Sequence, residues 1–369
     1  MKIKIMIIMA FLLFQNLFFA KEMKIAVLSN SGSQLYVRAN NEIEVFSNGM
    51  LLDKKREVKF SAGKNSVTYE GKSYSDIVLK PENKGDFLYI SKSGKNFDGY
   101  RGNFGLIIEN GRIVPVNLID MDEYLYSVVP SEIGKKFPDE AVKAQIVTSR
   151  TYSYYNAKNS KFKNYDMVDN VNSQVYKGIA AEDEKINKLV DSTKNIVMTY
   201  KGEPINAIFH DDSGGYTANV EDVWGGTGLE YLKAVDDSEN VMDSPRRYWS
   251  YTITKDRLSK IFGVYPQSIE VEKKDNRIKK VLLKGSGKTV EVTGNEFRKR
   301  MGYTNIFSTV FDYSDNGGSF IFSGHGSGHG VGLPQWGAYA QAEKNKKYDQ
   351  ILKYYFTGIK IEEIRDAGF

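Results

Sequence analysis

Val128-Val129-Pro130-Ser131-Glu132-Ile133, then Phe137-Pro138-Asp139-Glu140-Ala141-Val142-Lys143-Ala144-Gln145, then Ser149-Arg150-Thr151-Tyr152, is where the chain changes character. The apolar spacing predicts a helix over 122–129, ended by the proline-containing stretch 130–134, which is expected to be a loop. Pro138 is expected at the first position of a second helix, where its missing N–H costs nothing; Asp139 and Glu140 then suit the positive end of the helix dipole. That helix is expected to reach about residue 156 and carries Ala141, Val142, Ala144, Ile146 and Val147. Lys143, Val147, Arg150 and Tyr154 fall on one stripe, because seven residues make nearly two turns. Two cations therefore share a face of the helix that starts just after Glu132.

Upstream, from 24 to about 109, short alternating runs at 24–28, 43–46, 66–69 and 87–90 are separated by turn residues. They predict a β-rich N-terminal region over 21–99 without a chemical motif. A hairpin is expected over 105–117, turning at Glu109-Asn110-Gly111, since Asn-Gly adopts positive φ at little cost. Downstream, 189–197 reads as a short segment before a turn at Lys201-Gly202, and 205–209 as a strand. Segments 255–262, 268–272, 279–283 and 294–301 predict a small α+β subregion at about 250–315. Helices are expected over 335–344 and 348–356, and no repeat array is visible. The fold class expected is α+β.

Residues 1–20 read as an export signal: Lys2 and Lys4, an apolar run over 5–14, then Gln15 and Asn16 before Ala20. Ala20 is the expected cleavage position. Phe18 is bulky for the residue two before it, so retention as an uncleaved anchor stays open, and only that segment would touch a membrane. The protein is expected to be exported to the periplasm or cell wall.

The 369 residues carry 51 Lys and Arg against 46 Asp and Glu, a net charge of +5. So mild an excess does not suggest nucleic acid and suits an anionic partner at least as well. Cysteine is absent. That excludes disulfides, Cys-ligated zinc, iron–sulfur clusters, a thiol nucleophile and a lipid-anchoring cysteine.

The chain has three histidines, all in or beside glycine-rich loops. His210 precedes Ser213-Gly214-Gly215-Tyr216; His325 and His329 lie in Gly324-His325-Gly326-Ser327-Gly328-His329-Gly330. Glycine permits close backbone approach to a ligand, whereas the plain alternative is histidines that satisfy turn backbone. A zinc site from His210, His325 and His329 is conceivable, but glycines between the last two exclude the helical His-x₃-His arrangement. Glu132 could be a general acid if desolvated, though most glutamates are solvated. Neither a phosphate-binding loop nor a G-x-S-x-G elbow is present. No cofactor is expected.

The blocks quoted above continue through Ser213-Gly214-Gly215-Tyr216-Thr217, Glu221-Asp222-Val223-Trp224 and Tyr231-Leu232 to Gly328-His329-Gly330-Val331-Gly332-Leu333-Pro334-Gln335-Trp336-Gly337-Ala338. In that order, over about 100–364, they resemble the stage II sporulation protein D / amidase enhancer (SpoIID/LytB) family. The resemblance implies a mixed α/β domain over 100–369, acting on peptidoglycan outside the membrane. On the sporulation side of the family it implies a lytic transglycosylase that cuts glycan strands stripped of stem peptides. Glu132 matches the family's catalytic glutamate, and Lys143 and Arg150 match helix cations linked to activity or substrate contact. Those cations could bind a muramyl carboxylate, or could keep Glu132 ionised and oppose an acid role; their distance from Glu132 decides. His210, Ser213, Tyr216, Trp224, His329, Gln335 and Trp336 are further candidates for substrate binding, with core packing the alternative for both tryptophans. The family's zinc-binding His/Cys set falls at Val168-Asp169-Asn170-Val171-Asn172-Ser173-Gln174-Val175-Tyr176, where Val168, Asn172 and Ser173 stand in ligand positions, so that zinc site is expected to be absent. The competing expectation is a non-catalytic peptidoglycan-binding amidase enhancer, with a cell-wall amidase as partner.

Overall fold

The computed structural model describes residues 22–134, 136–242 and 244–364. The 1–20 export segment lies outside these residues. Among those described, no helix is long and apolar enough to cross a membrane.

The N-terminal third supplies ten strands of an eleven-stranded, mainly antiparallel sheet, and Met167–Val168 adds the eleventh in parallel beside Glu22–Ala26. Its long hairpin joins Gln34–Ser47 to Met50–Ala62 through a tight turn at Asn48 and Gly49, both with positive φ. Strand Gln34–Ser47 sends Leu35, Val37, Ile43 and Val45 into the core. The sheet does not stop at residue 99. Asn103–Glu109 pairs with Ile77–Pro81 and with Arg112–Asp120, and Arg112–Asp120 pairs in turn with the first strand, Glu22–Ala26. The expected hairpin turn is present, with Asn110 and Gly111 both at positive φ.

Helix α1 (Met121–Glu132) leaves the last sheet strand directly, its first turn capped by the Asp120 carboxylate. Here the expected boundary is corrected: the helix runs through Pro130 to Glu132. Proline forfeits one backbone bond, but Ser131 Oγ donates to the Ser127 carbonyl at 2.8 Å and Ile133 N–H to that of Val129 at 2.9 Å, holding the final turn. Helix α2 (Asp139–Lys158) follows, with Pro138 as its N-cap and not its first helical residue. Helix α3 (Glu184–Ser192) went unrecognised in the sequence; it buries Ile186 and Val190 four residues apart, behind an Asp183 cap. The expected strand at 205–209 shrinks to Phe209–His210, which pairs in parallel with Leu333–Pro334. Residues 205–208 are held by irregular bonds, Ile205 N–H to Met198 O among them. The short helix α4 is Val220–Trp224.

Two three-stranded sheets and helices α5 (Lys255–Phe262) and α6 (Gly294–Met301) enclose a second core running from Trp249 to Phe322. This unit is stitched to the main body. Arg277 donates to the carbonyls of Ser213 and Tyr216, and Trp249 Nε1 to Gly326 O at 3.0 Å. Helices α7 (Gln335–Glu343) and α8 (Tyr348–Tyr355) close the chain. One continuous core joins the large sheet to α1, α2, α7 and α8, giving a mixed α+β fold.

Candidate active site

Glu132 is the last residue of α1, and three elements fix it. Gln335 at the start of α7 donates from Nε2 to its carbonyl at 3.0 Å. Val175 N–H donates to its carboxylate at 2.8 Å. Buried Gln174 sets the position of Val175, since its Oε1 accepts from Ser153 on α2 at 2.9 Å and from Tyr124 on α1 at 3.3 Å. Tyr176 is tied to the sheet through Asn117 at 2.6 Å. No side-chain motif in the Gln174-Val175-Tyr176 run announces this backbone N–H toward Glu132.

The Glu132 carboxyl is half-buried. Burial raises its pKa above the usual carboxylate range, against the lowering effects of the Val175 N–H and the Lys177 charge. Neither Lys143 nor Arg150 is among the groups that shift it, so neither holds it ionised.

The carboxyl lies at the meeting of two cavities. The larger, about 520 Å³, runs between Tyr152, Tyr155, Asn156 and Asn159 of α2 and the 206–209 segment, with Trp224 and His329 on its wall. The smaller, about 320 Å³, is lined by Glu132, Phe209, His210, Asp211, Arg246 and Gln335. The two cavities share Glu132 and Phe209, and their walls mix aromatic faces with amides.

The glycine-rich loops are explained by packing. A side chain at Gly328 would come within 2.7 Å of His210 Cβ, and one at Gly326 within 2.6 Å of the Gly214 backbone; both glycines also have positive φ. This interlocking brings His210 and His329 together, ring centroids 5.4 Å apart, with Trp224 5.0 Å from His329. His329 accepts at Nδ1 from Val331 N–H at 3.1 Å, and burial with Arg298 and Arg277 nearby pushes its pKa down to about 3. His210, only 5% exposed, has Nδ1 3.1 Å from the Val331 carbonyl, and burial carries its pKa well below the ordinary value. Both rings are therefore neutral, and His210 Nε2 has no hydrogen-bond partner among the described residues.

Residues 109–200 match the family model described as "Stage II sporulation protein". Stage II sporulation protein D of Bacillus subtilis is 31% identical over 269 residues, covering 67% of this chain and 76% of that protein. The chain belongs to the SpoIID family. An uncharacterized protein of Brachyspira hyodysenteriae is 29% identical over 290 residues, 75% of this chain and 77% of the relative. The amidase enhancer of B. subtilis is 27% identical over 357 residues, 82% of this chain but 49% of that longer protein.

Within this SpoIID chain the structure divides the expected site residues. Glu132, Trp224 and His329 line the larger cavity; His210 and Gln335 join Glu132 in the smaller. Arg150 is corrected from a substrate contact to a frame residue. It is 0% exposed, pairs with Asp122 at 3.0 Å and donates to the Ile196 and Val190 carbonyls, bolting α2 to α1 and to the strand beyond. Lys143 pairs with Glu140, which also accepts from Tyr348 N–H, so it braces the contact between α2 and α8. The helical stripe is real, but its two cations are spent on different neighbours. Ser213 is buried and donates to Asp237 at 2.6 Å, while Tyr216 bonds Asp236 at 2.9 Å. Trp336 packs against Phe137 and Tyr339, at 5.0 and 5.4 Å between ring centroids. These three hold loops and core and do not line the groove around Glu132.

The family's zinc set does not fit this chain. Val168 is aliphatic and buried, and its N–H donates to Ser173 Oγ at 3.2 Å, so the serine closes a turn where a ligand would stand. His325 does not complete a site with the other histidines: it is exposed, edge-on to Tyr248 at 5.1 Å. Among the described residues no group of three His, Cys, Asp or Glu side chains is arranged to hold a metal.

Proposed function

We propose that this SpoIID-family chain acts in the bacterial cell wall as a lytic transglycosylase that cleaves peptidoglycan glycan strands, with Glu132 as its acid and base. The observation that carries this is a carboxyl of raised pKa at the centre of an aromatic and amide-lined groove, in the block that defines the family resemblance. Protonated Glu132 donates its proton to the glycosidic oxygen as the bond from C1 of an N-acetylmuramic acid unit breaks. The carboxylate so formed takes the proton from the 6-hydroxyl of that sugar, and O6 bonds to C1. The product is a 1,6-anhydro ring; no water is consumed, and Glu132 ends protonated as it began. The half-buried Glu132 carboxyl accepts one backbone N–H, and burial raises its pKa, which favours holding the proton that the first step donates. Neutral His329 and Trp224 offer a ring surface to a sugar face.

The test is mass spectrometry of glycan strands, with and without stem peptides, after incubation with the protein and with Glu132→Gln. Products ending in 1,6-anhydromuramic acid, lost in the variant, are expected. Reducing ends would mean that water attacks, and Asp211, the other carboxylate of the smaller cavity, would become the base to test. Binding of both strands without cleavage would favour a non-catalytic enhancer of a cell-wall amidase. That second reading draws on the amidase enhancer match, which covers more of this chain than the sporulation protein match does.

A further inference from the structure

Lys143 and Arg150, the two cations that the sequence placed near Glu132, are both engaged by neighbouring carboxylates. With Arg150 sealed in the core and Lys143 paired at α8, the Lys and Arg residues lining the two cavities that share Glu132 are, among the described residues, Lys161 in the larger and Arg246 in the smaller. Their settings differ. The Arg246 guanidinium lies 5.1 Å above the Phe307 ring, with Nη1 3.7 Å from Asp211 Oδ2. One edge is thus steered by a distant carboxylate, and the side chain stays 54% exposed toward the cavity and solvent. The segment that carries it is pinned: Arg247 N–H donates to Ser244 O at 3.0 Å, and the Arg247 carbonyl accepts from Gly326 N–H at 3.1 Å. Ser244 in turn bonds Asp212 beneath the glycine loops. Arg246 is therefore a charge held over the pocket with donors to spare.

We propose that Arg246 is a specificity-determining residue that binds the free lactyl carboxylate of a muramyl unit on the His210 side of Glu132, and so favours strands without stem peptides. This rests on the glycan-cleaving reading above. A free lactyl group ends in a planar carboxylate, which a guanidinium grips through two parallel N–H···O bonds. When a stem peptide is attached, the same position is a neutral secondary amide, with one acceptor oxygen and a bulky continuation.

The experiment measures binding without turnover. The full chain carrying Glu132→Gln is titrated with peptide-free strands, with the same strands after chemical amidation of their lactyl carboxylates, and with peptide-bearing strands. Arg246→Gln, Arg246→Lys and Lys161→Gln are each added to that background. With Arg246 intact, peptide-free strands are expected to bind best and amidated strands about tenfold more weakly, a difference of about 1.4 kcal/mol. Arg246→Gln is expected to weaken peptide-free strands by a similar factor and leave amidated strands unchanged, so that the two losses do not add. Arg246→Lys should lie between, and Lys161→Gln should preserve the preference. Equal weakening of all three strands by Arg246→Gln would overturn the assignment, as would loss of the preference on Lys161→Gln. Because cleavage plays no part, failure of the wild-type chain to cut glycan would sink the catalytic reading alone. Cleavage with no carboxylate preference in binding would sink only the role of Arg246.

Discussion

Glu132, half-buried, and Asp237, buried, are both carboxyls with raised pKa values, and they sit in opposite kinds of surroundings. Asp237 is enclosed beneath the interlocked glycine loops, where Ser213, Tyr355 and Asn240 all donate to it, and burial still pushes its pKa up to about 6. Glu132 has one backbone donor and opens onto two cavities. By pKa alone Asp237 would be an equal candidate for acid catalysis. Its donors are all protein groups and its surroundings are closed, so it works as a structural clamp between the Ser213 loop, the 237–240 turn and α8. A shifted carboxyl becomes a chemical candidate only where substrate can reach it.

The contrast can be broken most directly at Glu132. Glu132→Gln is expected to lower glycan cleavage by about 10²- to 10⁴-fold with the fold intact, read by product mass spectrometry and thermal denaturation. A mutant that still cleaves would remove Glu132 from the chemistry. Next in size is the frame. Arg150→Met leaves Asp122 charged and unpaired in the core and should cost about 3–5 kcal/mol of stability, measured by denaturant unfolding. A loss of activity at unchanged stability would instead return Arg150 to the groove. Asp237→Ala leaves the Ser213 and Tyr355 hydroxyls without their acceptor and is expected to cost about 3 kcal/mol.

A pH series separates the two carboxyls further. A raised folded-state pKa means that the folded protein binds the proton more tightly, so stability is lost as pH rises through the window between the two values. For Asp237 that window runs from about pH 4 to about 6, and the stability advantage of the wild type over Asp237→Asn should shrink across it. Glu132→Gln should likewise gain on the wild type as pH rises. Catalysis should fall on the alkaline side as Glu132 ionises. It should show no histidine limb between pH 5 and 8, since His210 and His329 stay neutral there. The smallest effect expected is at the groove wall. Trp224, 49% exposed, should cost about 1 kcal/mol of glycan binding on substitution by Ala, seen as a raised KM with kcat retained.

The helix pair around Glu132 was visible in the chain because proline, acidic first-turn residues and apolar spacing act locally. Helix periodicity also put Lys143 and Arg150 on one stripe, yet could not say what faced that stripe. Asp122 on α1 captured one cation and Glu140 the other. The histidine loops were legible as a cluster of unusual composition, and their convergence was not. His210 and His329 meet only because glycine at 326 and 328 lets two distant segments cross. Val175 and Arg246 left no trace in a motif, one acting through its backbone and the other through its position in a loop.

By itself the sequence determined the α+β class, the family, the absence of sulfur ligands and the carboxyl at the end of the Pro-Ser-Glu block. These depend on residue identity and short-range order along the chain. Which cation reaches the groove, which histidines become neutral neighbours and which shifted carboxyl stays open to a substrate were decided by the tertiary structure alone. Those properties depend on burial and on distances between segments as far apart as Glu132, Arg246 and Gln335, and only packing sets such distances.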